Sequence, residues 1–215
     1  MNIAKHISGY IAAALLLLGC EKNPYGPTGY QPDVQKPETE KPDQTPTEKG
    51  VYAKGADISW LTQMEGDGQK FYTAAGKEME CTALMKELGF NAIRLRVWVD
   101  PDGGWCAKED VLVKAKRAQE LGMRIMIDFH YSDTWADPSN QKTPAAWAAL
   151  PIYELASAVE THTKETLQLL KDNKVDVEWV QVGNETNSGM LHPLGKITDN
   201  ADNFAILADK GYDAV

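Results

Sequence analysis

The stretch W-V-Q-V-G-N-E, residues 179–185, is a short apolar strand that ends on an Asn-Glu pair. In barrels of alternating strands and helices, the loops after the carboxyl ends of the strands form the mouth of the active site. Glu185 is therefore the first candidate for a catalytic residue. Two earlier segments, R-L-R-V-W at 94–98 and D-F-H-Y-S-D at 128–133, also end apolar strands on charged and aromatic residues. Three strands would thus deliver polar groups to one rim.

The chain beyond Gly50 alternates between strand-like and helix-like patterns. Strands are predicted near residues 52–59, 92–99, 124–130 and 177–183, and helices near 77–88, 108–121, 151–171 and 201–210. Such alternation indicates a parallel sheet, which is either doubly wound or closed into a barrel.

The side chains of the second strand favour the barrel. Because side chains alternate along a strand, Arg94, Arg96 and Trp98 share one face. Between the two helix layers of a doubly wound sheet, buried arginines would be costly, whereas near a barrel mouth they would meet carboxylates. The predicted fold class is an α/β fold, the (β/α)8 barrel, which needs about 250 residues. No fifth strand is predicted, so we expect residues 51–215 to supply about the first four βα units.

The Asn-Glu pair suits the hydrolysis of a glycosidic bond. The retaining reaction uses two carboxyl groups about 5–5.5 Å apart, one as acid/base and the other as nucleophile. Glu185 can supply one of them, and the amide of Asn184 can hydrogen-bond a sugar hydroxyl beside the reacting carbon. A helix N-cap followed by a first-turn acid would have the same sequence. Gly183 before the pair and the polar residues after it favour a site.

Four segments occur in order along the chain: G-A-D-I-S at 55–59, R-L-R-V-W at 94–98, D-F-H-Y-S-D-T-W-A-D-P at 128–138 and Q-V-G-N-E at 181–185. Together they resemble glycoside hydrolase family 53, the arabinogalactan endo-β-1,4-galactanases. The resemblance implies a (β/α)8 barrel with an acid/base glutamate after the fourth strand and a nucleophilic glutamate after the seventh. Glu185 matches the first role. The second glutamate has no counterpart in this chain, so we expect residues 1–215 alone to be inactive. Half a barrel would also leave the fourth strand with an unpaired edge, so we expect these residues alone to fold poorly.

The resemblance also implies roles for residues around Glu185. Arg96 would interact with the nucleophile, with Arg94 as a rival for that role, and His130 would orient groups near the scissile bond. Sugar rings stack on aromatic side chains and sugar hydroxyls need polar partners. The residues expected to bind substrate are Asp57, Arg96, Trp98, His130, Tyr131, Asp133, Trp135 and Asn184.

The implied function is a retaining endo-β-1,4-galactanase that acts on β-1,4-galactan in type I arabinogalactan, the side chains of pectin. One alternative is another enzyme of the same clan that cleaves mannan, xylan or cellulose, because the Asn-Glu pair is widely shared. The loop at 133–138 favours galactan by resemblance. The other alternative is a glycan-binding surface lipoprotein without catalysis. Arg96, His130 and Glu185 argue against it, because a binding surface seldom needs an inward-facing acid held by orienting groups.

The N-terminal region has the features of an export signal and a tether. In residues 1–20 an apolar run at 11–18 is too short to span a bilayer as a mature helix. It ends in a sequence that resembles the bacterial lipobox, which implies lipidation of Cys20; an ordinary secretory signal is the alternative. Residues 21–50 hold six of the eleven prolines and are predicted to be a disordered tether. We expect an exported lipoprotein, anchored in the membrane through Cys20 at the cell surface or in the periplasm.

Composition narrows the possible partners. The formal net charge of −9 argues against nucleic acid and favours a neutral polymer or small molecule. The four histidines are scattered without metal-ligand spacing, so no metal and no cofactor are predicted within this chain. A structural calcium elsewhere in the whole protein stays open, as does a disulfide between Cys81 and Cys106. We expect a monomer.

Overall fold

The computed structural model describes residues 52–215, in which four parallel strands form one sheet in the order β1-β2-β3-β4. The strands are β1 (Gly55–Asp57), β2 (Ala92–Val97), β3 (Arg124–Phe129) and β4 (Trp179–Val182). The helices are α1 (Leu61–Gly66), α2 (Cys81–Glu87), α3 (Lys108–Glu120), α4 (Ile152–Asp172) and α5 (Ala201–Asp213). Three 3-10 turns lie at Asp102–Gly104, Ala145–Trp147 and Thr186–Ser188. The signal and tether predicted for 1–20 and 21–50 lie outside the described residues.

The alternation of strands and helices predicted from the sequence is confirmed. The sequence did not indicate α1, which is six residues long. Helix α2 begins at Cys81 rather than near residue 77, because Glu80 caps it by accepting a 2.8 Å hydrogen bond from the backbone N–H of Ala83. Gly89, which follows α2, has the left-handed φ of 88° expected of a helix-terminating glycine.

The two faces of the sheet differ in chemistry. One face packs against α3, α4 and α5, and the main apolar residues of this core are Ile93, Leu95, Val97, Ile125, Ile127, Phe129, Val111, Ala115, Leu155, Val159, Leu170 and Leu207. The other face carries Asp57, Arg94, Arg96, Asp128 and Gln181, which the parallel register brings to neighbouring positions. A doubly wound sheet would be apolar on both faces. A polar inner face and an outer helix layer are the arrangement of a barrel, and within residues 52–215 that sheet is open at β1 and β4.

A buried ion pair supports the turn between β1 and α1. Lys114 of α3 is fully buried, and its Nζ lies 2.5 Å from Oδ2 of Asp110. The same ammonium donates a 2.8 Å hydrogen bond to the carbonyl of Ser59, the residue before Trp60. Cys106 joins the cluster, since its N–H donates to Asp110 and its Sγ–H donates to the Ser59 carbonyl.

The cysteines that the sequence left open are not bonded to each other. Cys81 and Cys106 are both free and buried. Burial raises the pKa of the Cys81 thiol to about 11, and burial also raises the pKa of Cys106. Both thiols therefore stay protonated near neutral pH and behave as small apolar side chains.

No helix in the part of the chain that the structure describes is both long and apolar enough to cross a membrane.

His162 of α4 predicts a loss of stability in acid. Its ring contacts Phe129, Tyr131 and Trp147, and its Nε2 has no hydrogen-bond partner among the described residues. Burial lowers its pKa from 6.5 to about 4; Lys108 lowers it further and Glu165 opposes the shift. A folded-state pKa below the unfolded value means that the unfolded chain takes up the proton first. Stability should therefore fall as pH drops from 6.5 towards 4, by about 2–3 kcal/mol.

The measurement is the urea midpoint of the intact protein at pH 7 and at pH 4.5. His162→Phe keeps an aromatic ring in the same apolar surroundings but cannot titrate, so its midpoint should change less between the two pH values. An equal change in the two proteins would assign the acid sensitivity to other groups.

Candidate active site

One guanidinium joins all four strands on the inner face. Nη1 of Arg94 donates to Oδ2 of Asp57 at 2.7 Å, and Nη2 lies 2.7 Å from Oδ2 of Asp128. Nη2 also donates to Oδ1 of Asn184 at 2.9 Å and to Oε1 of Gln181 at 3.3 Å. The contacts therefore run from β1 through β2 and β3 to the end of β4. Arg94 orients the Asn184 amide and has the carboxylate partners that the sequence predicted for inward arginines.

Asp57 is held as a carboxylate by this network. Burial alone would raise its pKa, but hydrogen bonds from the Ser59 hydroxyl and N–H, together with Arg94, make the net shift downward. Its Oδ1 accepts both Ser59 bonds, at 2.6 and 2.9 Å, while its Oδ2 accepts from Arg94. Both oxygens of Asp57 thus have protein partners, so the side chain fixes the β1 end of the rim.

Arg96 lies in a cage of three tryptophans. Its Cζ is 5.1, 4.8 and 4.1 Å from the ring centroids of Trp60, Trp98 and Trp135. The side chain is buried, and its Nε and Nη2 have no hydrogen-bond partner among residues 52–215. Trp60 and Trp135 pack edge to face at 5.4 Å and are 47% and 41% exposed, so they form an open aromatic surface above the guanidinium. Trp98 lies deeper and is 8% exposed.

His130 is a fully hydrogen-bonded core histidine. Its Nδ1 accepts from the Ala136 N–H at 3.1 Å and from the Trp98 indole N–H at 3.3 Å. Nε2 therefore carries the ring proton and donates to Asp128 at 2.9 Å. With both nitrogens occupied and the side chain buried, the direct substrate contact predicted for His130 is not available in this structure. The histidine instead orients Trp98 and the loop after β3.

The prediction that Tyr131 lines the substrate site is wrong. The side chain is 1% exposed, its ring stacks on Phe129 at 5.6 Å, and its hydroxyl lies 2.8 Å from Oγ1 of Thr163 on α4. Tyr131 lies two residues beyond the end of β3, where its φ is 49°, and its ring packs beside Phe129 on the helix side of the sheet. It is a packing residue.

Asp133 joins two loops at the rim. Its Oδ1 accepts from the N–H of Asp100 at 3.0 Å, and its Oδ2 accepts from the N–H of Ala145 at 2.8 Å. Both carboxylate oxygens therefore bind backbone, and Asp133 shapes the loops after β2 and β3.

Glu185 stands at the end of β4 in a strained conformation. Its φ and ψ are 48° and 46°, in the left-handed region that a residue with a Cβ seldom adopts. The side chain is exposed and has no hydrogen bond or ion pair to any described residue. Gly183 is required nearby, because its φ is 83° and an added Cβ would lie 2.7 Å from Cγ2 of Thr186. The carboxyl group is thus presented freely at the rim.

The amide of Asn184 is fixed rather than used as a cap. Its Nδ2 donates to the Ala136 carbonyl at 2.7 Å, and its Oδ1 accepts from Arg94 and Gln181. The residue before the following 3-10 turn is Glu185, which makes no capping hydrogen bond. The N-cap explanation of the Asn-Glu pair is therefore wrong.

Three residues at this rim were missed from the sequence. Trp60 follows the G-A-D-I-S segment directly, and Gln181 lies on the inward face of β4, so both had a local signal. Gln141 had none, because it comes from a long irregular segment after β3. No group of three or more His, Cys, Asp or Glu side chains that could hold a metal ion occurs within residues 52–215.

Known proteins are similar to this chain in sequence and in fold. The sequence profile of glycosyl hydrolase family 53 matches residues 53–215. Arabinogalactan endo-β-1,4-galactanase A of Emericella nidulans is 40% identical over 167 residues, which are 78% of this chain and 47% of that protein. The enzyme with the same name from Aspergillus niger is 42% identical over 158 residues, 74% of this chain and 45% of the other.

Two solved structures are similar to this chain in fold. A structure from work on two fungal β-1,4-galactanases superimposes with a TM-score of 0.73 at 36% identity, covering 77% of this chain and 49% of that one. The family 53 catalytic domain from Ignisphaera aggregans gives a TM-score of 0.72 at 36% identity, with the same coverage of both chains. The chain spans about half the length of the curated relatives that it matches. It belongs to glycoside hydrolase family 53 and supplies part of the family's (β/α)8 barrel.

Proposed function

We propose that the full-length protein is a retaining endo-β-1,4-galactanase that hydrolyses the β-1,4-galactan of type I arabinogalactan in pectin, with Glu185 as general acid/base. The observation that carries the proposal is the exposed, unpartnered carboxyl group of Glu185 at the end of β4. Asn184 lies beside it, with its amide fixed by Arg94. Relatives named arabinogalactan endo-β-1,4-galactanase are about 40% identical to this chain over the aligned residues.

In the first step, protonated Glu185 gives its proton to the glycosidic oxygen as that bond breaks. The nucleophilic carboxylate, which residues 1–215 do not supply, attacks the anomeric carbon and forms a glycosyl ester. In the second step, ionised Glu185 removes a proton from water, which attacks the same carbon and releases the nucleophile. The buried Nε and Nη2 donors of Arg96 suit a contact with that nucleophilic carboxylate.

Substrate would bind over the aromatic surface formed by Trp60 and Trp135. The C–H faces of galactose can pack on these exposed rings, while hydroxyl groups reach polar atoms of the rim. Arg96 lies beneath both rings, and the attraction between its positive charge and their electron-rich faces helps to hold them in place.

The main alternative substrates are mannan, xylan and cellulose, and the alternative class is a non-catalytic glycan binder. Release of reducing ends by the full-length protein should be compared on galactan, mannan, xylan and carboxymethylcellulose. We expect galactan to be cleaved fastest, with internal cleavage visible as a rapid fall in polymer size. Faster release from another polymer would reassign the substrate, and binding of galactan without cleavage would support the binder.

We further propose that Cys20 is the lipidated N-terminus of the mature protein and anchors it in the membrane, as the lipobox-like sequence implies. Mass spectrometry of the N-terminal peptide from detergent extracts should show an acylated cysteine. Cys20→Ser should abolish the modification and shift the protein to the soluble fraction. An unmodified peptide that begins elsewhere in the wild-type protein would contradict this proposal.

A further inference from the structure

Gln141 binds the backbone on both sides of the Glu185 Cα. Its Nε2 donates to the carbonyl of Asn184 at 2.8 Å and to the carbonyl of Glu185 at 3.3 Å. The side chain is only 3% exposed, so these bonds form away from bulk water. The backbone carbonyl of Gln141 accepts a 2.7 Å hydrogen bond from the backbone N–H of His192. This bond connects Gln141 to a later part of the loop that follows β4.

These bonds matter because the backbone of Glu185 is strained. A left-handed conformation costs a residue with a Cβ roughly 1–2 kcal/mol, so it persists only when its surroundings hold it. If φ returned from 48° to an ordinary negative value, the Cα–Cβ bond would swing to a different direction. The exposed carboxyl group has no side-chain partner among the described residues to guide it back. The direction of the carboxyl group therefore depends on the peptide groups that Gln141 binds.

Other contacts join the same two loops without touching those peptide groups. Oγ of Ser188 donates to the carbonyl of Pro138 at 2.9 Å, and Nδ2 of Asn184 donates to the carbonyl of Ala136 at 2.7 Å. They hold the loop after β3 against the loop after β4. Gln141 differs because its Nε2 donates to the backbone carbonyls of Asn184 and Glu185, one on each side of the Glu185 Cα.

We infer that Gln141 is a positioning residue for Glu185: its carboxamide holds the left-handed backbone that aims the carboxyl group at the glycosidic oxygen. The inference rests on the proposed function, in which Glu185 is the acid/base. Gln141, in the irregular segment after β3, would thus influence proton transfer by positioning Glu185.

The test is the dependence of rate on the leaving group in the full-length protein. Gln141→Met keeps the length of the side chain and removes both hydrogen bonds. We expect kcat on galactan to fall by about 10- to 100-fold, because misplacing a catalytic group by about 1 Å has an effect of this size. KM should stay within about twofold. The rate at which a dinitrophenyl β-galactobioside forms the glycosyl-enzyme should fall by less than about threefold, because its leaving group needs little protonation.

The phenol burst of the dinitrophenyl substrate counts active sites, so rates per active site do not depend on how much of a variant folds. Gln141→Leu, whose side chain has no hydrogen-bonding group, is measured in parallel and should show the same selective loss. Ser188→Ala removes a contact between the same loops and should leave both substrates within about twofold of wild type.

Two sets of outcomes separate this inference from the proposed function. If Glu185→Gln affects galactan and the dinitrophenyl substrate equally, Glu185 is not the acid and the proposed function is overturned. If Glu185→Gln shows selective loss but the Gln141 variants lose both activities equally per active site, or lose neither, the positioning role is overturned while the proposed function stands.

Discussion

Replacing Glu185 by glutamine in the full-length protein is expected to lower the turnover of β-1,4-galactan by about 10²- to 10⁴-fold, while galactan binding stays nearly intact. The side chain is exposed and makes no hydrogen bond or ion pair to any described residue, so its replacement removes no contact that supports the fold. What it removes is the proton that the departing sugar oxygen needs. The effect should therefore appear in kcat and much less in KM.

Two substrates make this prediction specific. A sugar leaving group is basic and needs the acid, whereas a dinitrophenolate leaves readily without a proton, so glycosylation by the aryl substrate should be nearly unchanged. Glu154→Gln, at an exposed position in the first turn of α4, is the matched control and should leave both rates unchanged. Equal losses on both substrates in Glu185→Gln would show that Glu185 acts in some way other than as general acid.

The second large effect is expected from Lys114→Met, which should destabilise the protein by about 3–5 kcal/mol. Lys114 and Asp110 are 0% and 2% exposed, so the substitution leaves a buried carboxylate without its cation. It also removes the ammonium donor from the Ser59 carbonyl, which then keeps only the weak Sγ–H donor of Cys106. Chemical denaturation of the full-length protein measures the change in the free energy of unfolding.

The double substitution Lys114→Met, Asp110→Asn separates these two causes. Asparagine keeps an acceptor for the Cys106 N–H but carries no charge, so most of the lost stability should return. If the double variant is as unstable as the single one, the loss comes from the Ser59 contact rather than from the stranded charge. In that event the turn that carries Trp60 would be the sensitive element.

The architecture could be predicted because its signals are local in the chain. Helices and strands repeat their apolar positions with different periods, and β2 and β3 carry Arg94, Arg96 and Asp128 on the inward face while their outward residues are apolar. Tyr131, just beyond the end of β3, lies beside Phe129 on the helix side. Its assignment to the substrate site followed from residue type rather than from position, and for that reason it was wrong.

The partners of the inward side chains could not be predicted in the same way. Arg94 and Arg96 are equivalent by alternation, yet Arg94 meets two carboxylates and Arg96 lies among three tryptophans. The difference depends on the register between strands and on the path of the loop that brings Trp135 over β2. Both are properties of the folded molecule.

The sequence by itself determined the parallel sheet, its polar inner face and the position of Glu185 at the end of β4, because each follows from periodicity within a short segment. Only the tertiary structure decided what holds that glutamate. The hydrogen bonds from Gln141 to the backbone of Asn184 and Glu185 join residues more than forty positions apart. The left-handed φ at Glu185 is a strained conformation that local sequence preferences would not select. Contacts of this range arise when the loops after β3 and β4 meet above the carboxyl ends of the strands, so they are absent from any single stretch of sequence.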